Sequence, residues 1–152
     1  MMVDIKEIKK LSVIKLKLLI KDSQNQGCTF VQLLVDEWLA GTNCFNKKGE
    51  VLLVAQDNNQ PIGLCGLNID PYYPIVGLGR VRHLYVLSSK RRQGIGSQLL
   101  KEIIHQAKKN FDLLNLRTNN PEASLFYLAQ GFLRSYERPE CTHILKLNNR
   151  KV

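Results

Sequence analysis

The residues best suited to chemistry stand in one run, Arg91-Arg92-Gln93-Gly94-Ile95-Gly96-Ser97, between a strand-like segment and an amphipathic helix pattern. The first N–H groups of a helix have no partner within the helix, and the helix dipole adds partial positive charge there. Gly94 and Gly96 let a phosphate approach the backbone closely, and Arg91 and Arg92 add charge at the rim. The run therefore suits a pyrophosphate, although the same glycines also suit a plain tight turn.

Two familiar phosphate-binding motifs do not match this run. The dinucleotide fingerprint G-x-G-x-x-G requires a third glycine, and Leu99 stands in its place. The P-loop pattern ends in glycine, lysine and a hydroxyl residue, and nothing after Gly94 supplies that set. Composition and spacing alone leave the phosphate ligand open.

The elements that must position this run follow from the hydrophobic pattern. Helices are predicted over Val13 to Lys21, Phe30 to Ala40, Gly94 to Lys109 and Pro121 to Gln130, with Thr29 and Asn120 as candidate caps and Asp22 to Gly27 as a polar loop. Strands are predicted over 51–55, 62–69, 80–87, 113–116, 132–133 and 143–147, and in the third of them Val81, His83 and Tyr85 alternate with Arg82, Leu84 and Val86. This order predicts an α+β or three-layer α/β/α architecture, in which helices pack on a mixed sheet.

The length, cysteine spacing and charge of the whole chain limit the class of protein to which it can belong. Its 152 residues suit a single domain covering 1–152, and the four cysteines are irregularly spaced, which favours reduced thiols in a cytoplasmic protein. The formal net charge of +9 comes from scattered basic residues without a basic arm, so nucleic acid is not an expected partner. Lysines interrupt the apolar segment Leu16 to Ile20, which argues against a membrane span.

The chain resembles the GNAT superfamily of acetyl-CoA-dependent N-acyltransferases in two motifs, which occur in the same order along the chain as in that family. The family's loop [Q/R]-x-x-G-x-[G/A] is matched by Arg91 to Gly96, after the strand segment Leu84-Tyr85-Val86. Its second motif, N-x-x-A-x-x-F-Y-x-x-x-G-F, is matched by Asn120, Ala123, Phe126, Tyr127, Gly131 and Phe132. The resemblance covers about residues 50–147 and implies a mixed, mostly antiparallel sheet of six to seven strands flanked by about four helices.

The resemblance also implies an activity and a set of site residues. Acetyl-CoA would be the co-substrate, with no metal, and an amine would attack the thioester directly in a ternary complex. Tyr127 lies where the family places a general acid that serves the leaving thiolate. The implied cofactor-binding residues are Leu84, Tyr85, Val86, Arg91, Arg92, Gln93, Gly94, Ile95, Gly96, Ser97, Asn120 and Tyr127. The alternative is a catalytically weak CoA sensor or protein-interaction module of the same fold.

The chain departs from the family where many members carry a glutamate to deprotonate the amine. Residues 80–83 read Arg-Val-Arg-His, so His83 is the nearest titratable substitute and the second candidate catalytic residue. His83 equally suits a plain sheet position. Asp70 and Glu140 are more distant candidates, and a water chain is a further one.

The acceptor site is expected between two loops, Asp22 to Thr29 and Tyr136 to Thr142. Tyr136, Glu137 and Glu140 could attract a cationic amine or simply form a solvated turn, and Tyr72 and Tyr73 could border the same cleft. The acceptor is an unspecified amine, and a monomer and a homodimer are both open.

Overall fold

The computed structural model describes residues 3–147, which form seven strands, four α-helices and one short 3₁₀ turn. The elements in chain order are β1 (Val3–Glu7), α1 (Lys17–Asn25), α2 (Phe30–Ala40), β2 (Val51–Asp57), β3 (Gln60–Ile69), β4 (Leu78–Val86), the 3₁₀ turn (Ser88–Lys90), α3 (Ile95–Ala107), β5 (Leu113–Leu116), α4 (Pro121–Ala129), β6 (Leu133–Arg134) and β7 (His143–Lys146).

All seven strands belong to one sheet in the order β1-β2-β3-β4-β5-β7-β6. The β4–β5 pair is parallel and the other five pairs are antiparallel. A Cβ at Gly63 would meet Leu99 of α3, whereas one at Gly66 would meet Phe45, which follows α2. Residues 63 and 66 face opposite sides of β3 because side chains alternate along a strand, so helices cover both faces. The predicted three-layer, mostly antiparallel fold is confirmed.

Local chemistry accounts for several element ends. Asn58 and Asn59 have φ values of 49° and 68° at the β2–β3 turn, the left-handed pair that a tight hairpin requires. Gly41, with φ of 78°, ends α2. Asn120 caps α4 through its side-chain oxygen, which accepts from the N–H groups of Glu122 and Ala123. Thr29, by contrast, makes no side-chain cap bond.

The N-terminal region differs most from its prediction. Strand β1 was not predicted, because charged Asp4 and Lys6 alternate with Val3 and Ile5 in too short a run to stand out. Its place is decided by pairing with β2, more than 45 residues away in sequence. Helix α1 begins at Lys17 and runs to Asn25, so the predicted polar loop is largely its last turns. Ser23 in that stretch is buried, and its hydroxyl donates to the Ile20 carbonyl.

The core lies between the sheet and its helices. Leu64 and Leu67 of β3 are fully buried, as are Leu99, Leu100 and Ile103 on the inner face of α3. Burying one such side chain contributes roughly 1.5–3 kcal/mol. This packing holds the start of α3 firmly against β4, where the loop of Arg91 to Gly96 lies.

Candidate active site

A cleft opens where β4 and β5 stop pairing. The two strands are paired only from Leu78 to Arg80 on β4, with Leu113 to Asn115 opposite. Beyond Arg80 they separate, and the gap is a cleft of about 1110 Å³ that follows β4 as far as Val86. The cleft has two ends, named here for the ligands that the sequence predicts at them: the cofactor end, at residues 90–97, and the acceptor end, at Tyr72, Arg80, Arg82, Arg117 and Glu140.

A bulge in β4 lies in the middle of the cleft. Arg82 pairs with Gly66 and Tyr85 with Leu64, so His83 and Leu84 together stand opposite Cys65. The predicted strict alternation along this strand is therefore wrong at His83, whose φ of 61° is left-handed. A bulge inserts an extra residue and bends the strand, which turns β4 away from β5.

The open edge of β4 presents backbone groups to the cleft. The N–H of Leu87 donates to the Ile62 carbonyl of β3 at 2.8 Å, so Leu87 faces β3. Backbone groups alternate in direction along a strand, and those of Leu84 and Val86 therefore face the cleft. The Val86 carbonyl accepts from Arg91 Nε at 3.0 Å, which ties the arginine back to the strand.

The loop after β4 has the backbone form of an anion site. Arg92 and Gly94 have φ values of 63° and 82°, which turn successive N–H groups toward one concave side. Gly94 is the N-cap of α3, and a Cβ built there meets no atom within 4 Å. Of the predicted cofactor-binding residues, only Gln93 does not line the cleft.

Asp22 connects α1 to the cofactor end. Its carboxylate accepts from the Tyr85 hydroxyl at 2.6 Å, the Ser88 N–H at 2.9 Å and the Ser88 hydroxyl at 2.7 Å. Burial opposes ionisation, but these hydrogen bonds outweigh it and lower the pKa of Asp22. The Arg91 guanidinium lies over the Tyr85 ring, 5.2 Å from its centroid. Sequence reasoning missed Asp22, since its partners are more than 60 residues away.

Tyr127 lies on the cleft wall formed by α4, with 8% of its surface exposed. Its ring packs edge-on against Phe126 and Phe132, at centroid distances of 5.3 and 5.5 Å. Burial raises the pKa of its hydroxyl well above the ordinary value. The ring also contacts His143, which is held between the hydroxyls of Ser124, at 2.9 Å, and Thr142, at 2.7 Å.

His83 lines the cleft beside the rings of Phe30 and Phe45. Neither ring nitrogen has a hydrogen-bond partner among residues 3–147. Burial, and then the positive charge of Arg82, lowers the pKa of His83 to about 3. The imidazole is therefore neutral at physiological pH and holds a proton only weakly.

The acidic residues considered from sequence are largely committed to other contacts. Asp70 is buried and binds Arg80 Nε at 3.0 Å, Asn115 Nδ2 at 3.0 Å, and the N–H groups of Tyr72 and Tyr73. It has no spare position from which to deprotonate an amine.

The loop before β7 contributes only one of its candidates to the cleft. Glu140 lines the cleft and pairs with Arg117 at 3.1 Å, and its N–H donates to the Tyr73 hydroxyl. Tyr136, 85% exposed, and Glu137, also exposed, lie off the cleft. Tyr72 borders the cleft, and Tyr73 supports it from behind through Glu140.

Residues 3–147 form neither a metal-type cluster nor a membrane-spanning helix. No three His, Cys, Asp or Glu side chains there come together in a way that could hold a metal ion. Within the same residues, no helix has the length and apolar character needed to cross a membrane. The four cysteines are free thiols.

Comparison with known proteins identifies the class that this fold and cleft define. The model of the GNAT acetyltransferase domain matches residues 48–134, which is more than half of the chain, so the chain belongs to the GNAT acetyltransferase family. No curated protein matches the chain significantly in sequence.

Solved structures share the fold over nearly the whole chain. A candidate acetyltransferase from Exiguobacterium sp. 255-15 superposes with a TM-score of 0.82 at 27% identity, covering 96% of this chain and 94% of that one. An N-acetyltransferase from Staphylococcus aureus Mu50 gives 0.73 at 20% identity, covering 97% and 100%. A GNAT family acetyltransferase from Elizabethkingia anophelis, solved with acetyl-CoA bound, gives 0.63 at 23% identity, covering 95% and 98%.

Proposed function

We propose that this protein is an N-acetyltransferase that binds acetyl-CoA in the β4–β5 cleft and transfers the acetyl group to a primary amine. The observation that carries the proposal is the separation of β4 from β5 directly beside a helix start with a concave set of N–H groups. One end of this gap suits a pyrophosphate, and the strand edge leading from it suits an extended chain with amide groups. The acetyl-CoA-bound Elizabethkingia protein has the same fold.

The proposed cofactor contacts follow from that geometry. The backbone from Gln93 to Ser97 holds the pyrophosphate, and Arg91 and Arg92 add positive charge. The backbone groups of Leu84 and Val86 that face the cleft pair with the pantetheine amides, as an added strand would. Asn120, at the cap of α4, lines the wall opposite.

The proposed role of Tyr127 is to donate a hydrogen bond to the leaving thiolate. Its raised pKa keeps the hydroxyl protonated at neutral pH, so it can donate a hydrogen bond to the thiolate of CoA as the C–S bond breaks. The tetrahedral oxyanion formed when the amine attacks would accept from a cleft-facing N–H of β4 near Val86, such as that of Leu84 at the bulge. Packing against Phe126 and Phe132 fixes the direction of the hydroxyl.

The proton on the acceptor amine leaves, in this proposal, through water. His83 lines the cleft, but both of its ring nitrogens are buried and have no hydrogen-bond partner among residues 3–147, so the imidazole is proposed as a neutral wall of the cleft rather than as the base. With a pKa of about 3, it does not retain the proton itself. The amine is therefore expected to enter already neutral or to lose its proton to solvent.

We place the protein in the cytoplasm as a single domain, as a monomer or a homodimer, without nucleic acid or metal as a partner.

Calorimetric titration with acetyl-CoA tests the cofactor site directly. We expect micromolar binding by the wild type and its loss in Gly94→Asp, which puts a negative charge where the phosphates would lie. Gly41→Asp is the matched control, since Gly41 also has a left-handed φ, 78° against 82°, and also has no atom within 4 Å of its Cβ. Absent wild-type binding, or equal loss in the control, would refute the cofactor site.

Activity is tested by release of free thiol from acetyl-CoA in the presence of amines. Transfer to at least one amine, with the acetylated product seen by mass spectrometry, would support the enzyme. Tight acetyl-CoA binding without transfer to any amine would instead favour the CoA sensor.

A further inference from the structure

The acceptor end of the cleft carries an uncompensated positive charge. Three arginines line it, Arg80, Arg82 and Arg117. Arg80 is paired with buried Asp70, and Arg117 with Glu140. The Arg82 side chain makes no hydrogen bond or ion pair with any residue in 3–147.

Other acidic groups nearby do not neutralise Arg82. Glu37 lies on α2, which packs against β4, but it does not line the cleft and forms no ion pair among residues 3–147, and its Oε1 is buried without a hydrogen-bond partner there. Glu122 lines the cleft, but it stands in the first turn of α4, where its charge favours the helix N-terminus. One arginine is therefore left over in a partly enclosed space, where charges are weakly screened.

A second donor at this end also lacks a partner. The Arg80 side chain is only 5% exposed, and its Nη2 is buried without a hydrogen-bond partner among residues 3–147. Asp70 contacts Arg80 through Nε, and the Tyr72 ring stacks on the guanidinium at 4.7 Å. Buried donors are usually satisfied, so the unpartnered Nη2 of Arg80, two residues along β4 from Arg82, adds a second unused donor to the acceptor end.

The cofactor phosphates do not account for this charge. Arg82 and Val86 pair with Gly66 and Gly63, which are three residues apart on β3, or roughly 10 Å along a strand, and the loop of Arg91 to Gly96 lies beyond Val86. The reacting centre proposed above, at the bulge and Tyr127, stands between the two basic ends. An acceptor whose amine reaches that centre from the acceptor end passes Arg82.

From these observations we infer that the acceptor is a small primary amine that also carries a carboxylate, which Arg82 binds, with Arg80 as a neighbouring donor. The inference rests on the proposed acetyl transfer for the meaning of "acceptor", but the anion site itself stands on the arginines. Phe30, Leu33 and Tyr72 line the same part of the cleft and suit an apolar portion between the two polar groups. The sequence left open whether acidic residues attract a cationic amine at this end of the cleft. The arginines that line it favour an acceptor with an anionic group instead.

Paired ligands test the carboxylate without requiring turnover. Leucine, phenylalanine and 4-aminobutyrate, each beside its carboxamide, are titrated by calorimetry into protein saturated with CoA, which cannot transfer an acetyl group. We expect at least one acid to bind tenfold or more tightly than its amide. Arg82→Gln should remove that preference, whereas Lys101→Gln, which deletes an exposed charge on α3, should retain it.

The outcomes separate this inference from the proposed function. If the amides bind as tightly as the acids, or if neither binds while CoA does, the carboxylate site is overturned and the cofactor site stands. If Arg82→Gln weakens acetyl-CoA binding tenfold instead, Arg82 belongs to the cofactor and the inference is overturned. If peptides with a glutamate near the amino terminus bind and free amino acids do not, the small acceptor is overturned. Failure of the proposed function would be seen separately, as absent acetyl-CoA binding in the wild type.

Discussion

The two ends of the cleft are built in different ways. The cofactor end is a continuous run, residues 90–97, in which backbone N–H groups and two left-handed residues form the surface. The acceptor end is made of side chains from β4, the segment after β3, the segment after β5 and the loop before β7. A cofactor that a whole family uses can be bound by backbone N–H groups, because every chain has them. A particular acceptor requires particular side chains.

This difference predicts that the two ends can be disturbed separately. Changes at residues 86–97 should alter the affinity for acetyl-CoA, and changes at Arg82 or His83 should not. Tyr127 lies between the ends and should affect the chemical step alone.

The largest effect is expected for Tyr127→Phe. Loss of the hydroxyl removes the donor to the leaving thiolate, and we expect kcat to fall about 100-fold, with acetyl-CoA affinity kept within about twofold because ring packing remains. Steady-state kinetics and calorimetry measure the two quantities. Tyr136→Phe, at an 85% exposed position off the cleft, is the control. Unchanged kcat would remove Tyr127 from the mechanism.

Gly96 offers a graded test of the cofactor end. A Cβ there would lie 3.7 Å from Phe126 and 3.8 Å from Val86, so Gly96→Ala should fit and stabilise α3 by roughly 0.5–1 kcal/mol. Gly96→Leu should extend into the cleft and weaken acetyl-CoA binding about tenfold, or roughly 1.4 kcal/mol. Equal affinity of the leucine and alanine variants would mean that the cofactor does not pass between β4 and α4.

Asp22→Asn is expected to act on the cofactor end from a distance. The amide keeps one acceptor oxygen but loses the charge that holds Tyr85 and Ser88, which should cost about 1–2 kcal/mol of unfolding free energy. We expect acetyl-CoA affinity to fall about fivefold, since the turn leading into the phosphate loop is loosened. Asp36→Asn on α2 is the control. If affinity and the unfolding free energy both stay at wild-type values, the Asp22 contacts do not organise the loop.

The smallest effect on acetyl-CoA binding is expected for His83, whose contribution is to the pH dependence of stability. Because its folded pKa, about 3, lies below the unfolded value of 6.5, the unfolded chain binds the extra proton between these values. Stability is then full above about pH 6.5 and declines toward pH 3, with a slope of up to about 1.4 kcal/mol per pH unit. Buried His143, whose pKa is also lowered, adds to the decline.

Urea unfolding at several pH values separates the contributions. Asparagine tolerates a left-handed φ, so His83→Asn should flatten the slope without changing acetyl-CoA affinity. His105→Asn, at an exposed position on α3, should leave the slope as it is. The same slope in the His83 variant as in the wild type would contradict a buried, neutral imidazole.

How much of this was predictable differs between the parts of the molecule. The predicted α2, α3 and α4 match the structure closely, because an apolar stripe with Gly41 or Asn120 at one end is a local pattern. Strand β1 and the true start of α1 were missed, since one depends on a distant partner and the other has a muddled period. The bulge at His83 could not be predicted, because the residues around it show the ordinary alternating pattern of a strand.

By itself, the sequence determined the order of elements from α2 onward, the glycine loop between β4 and α3 and the position of Tyr127 on α4, because these depend on local patterns within a helix, a strand or a turn. Only the tertiary structure decided the acceptor end. Pairing of Arg80 with Asp70 and of Arg117 with Glu140 joins residues 10 and 23 positions apart through the fold. These two ion pairs leave Arg82 as the unpaired arginine at the acceptor end. Long-range packing therefore decides which arginine is free to bind a ligand, and the residue types alone do not.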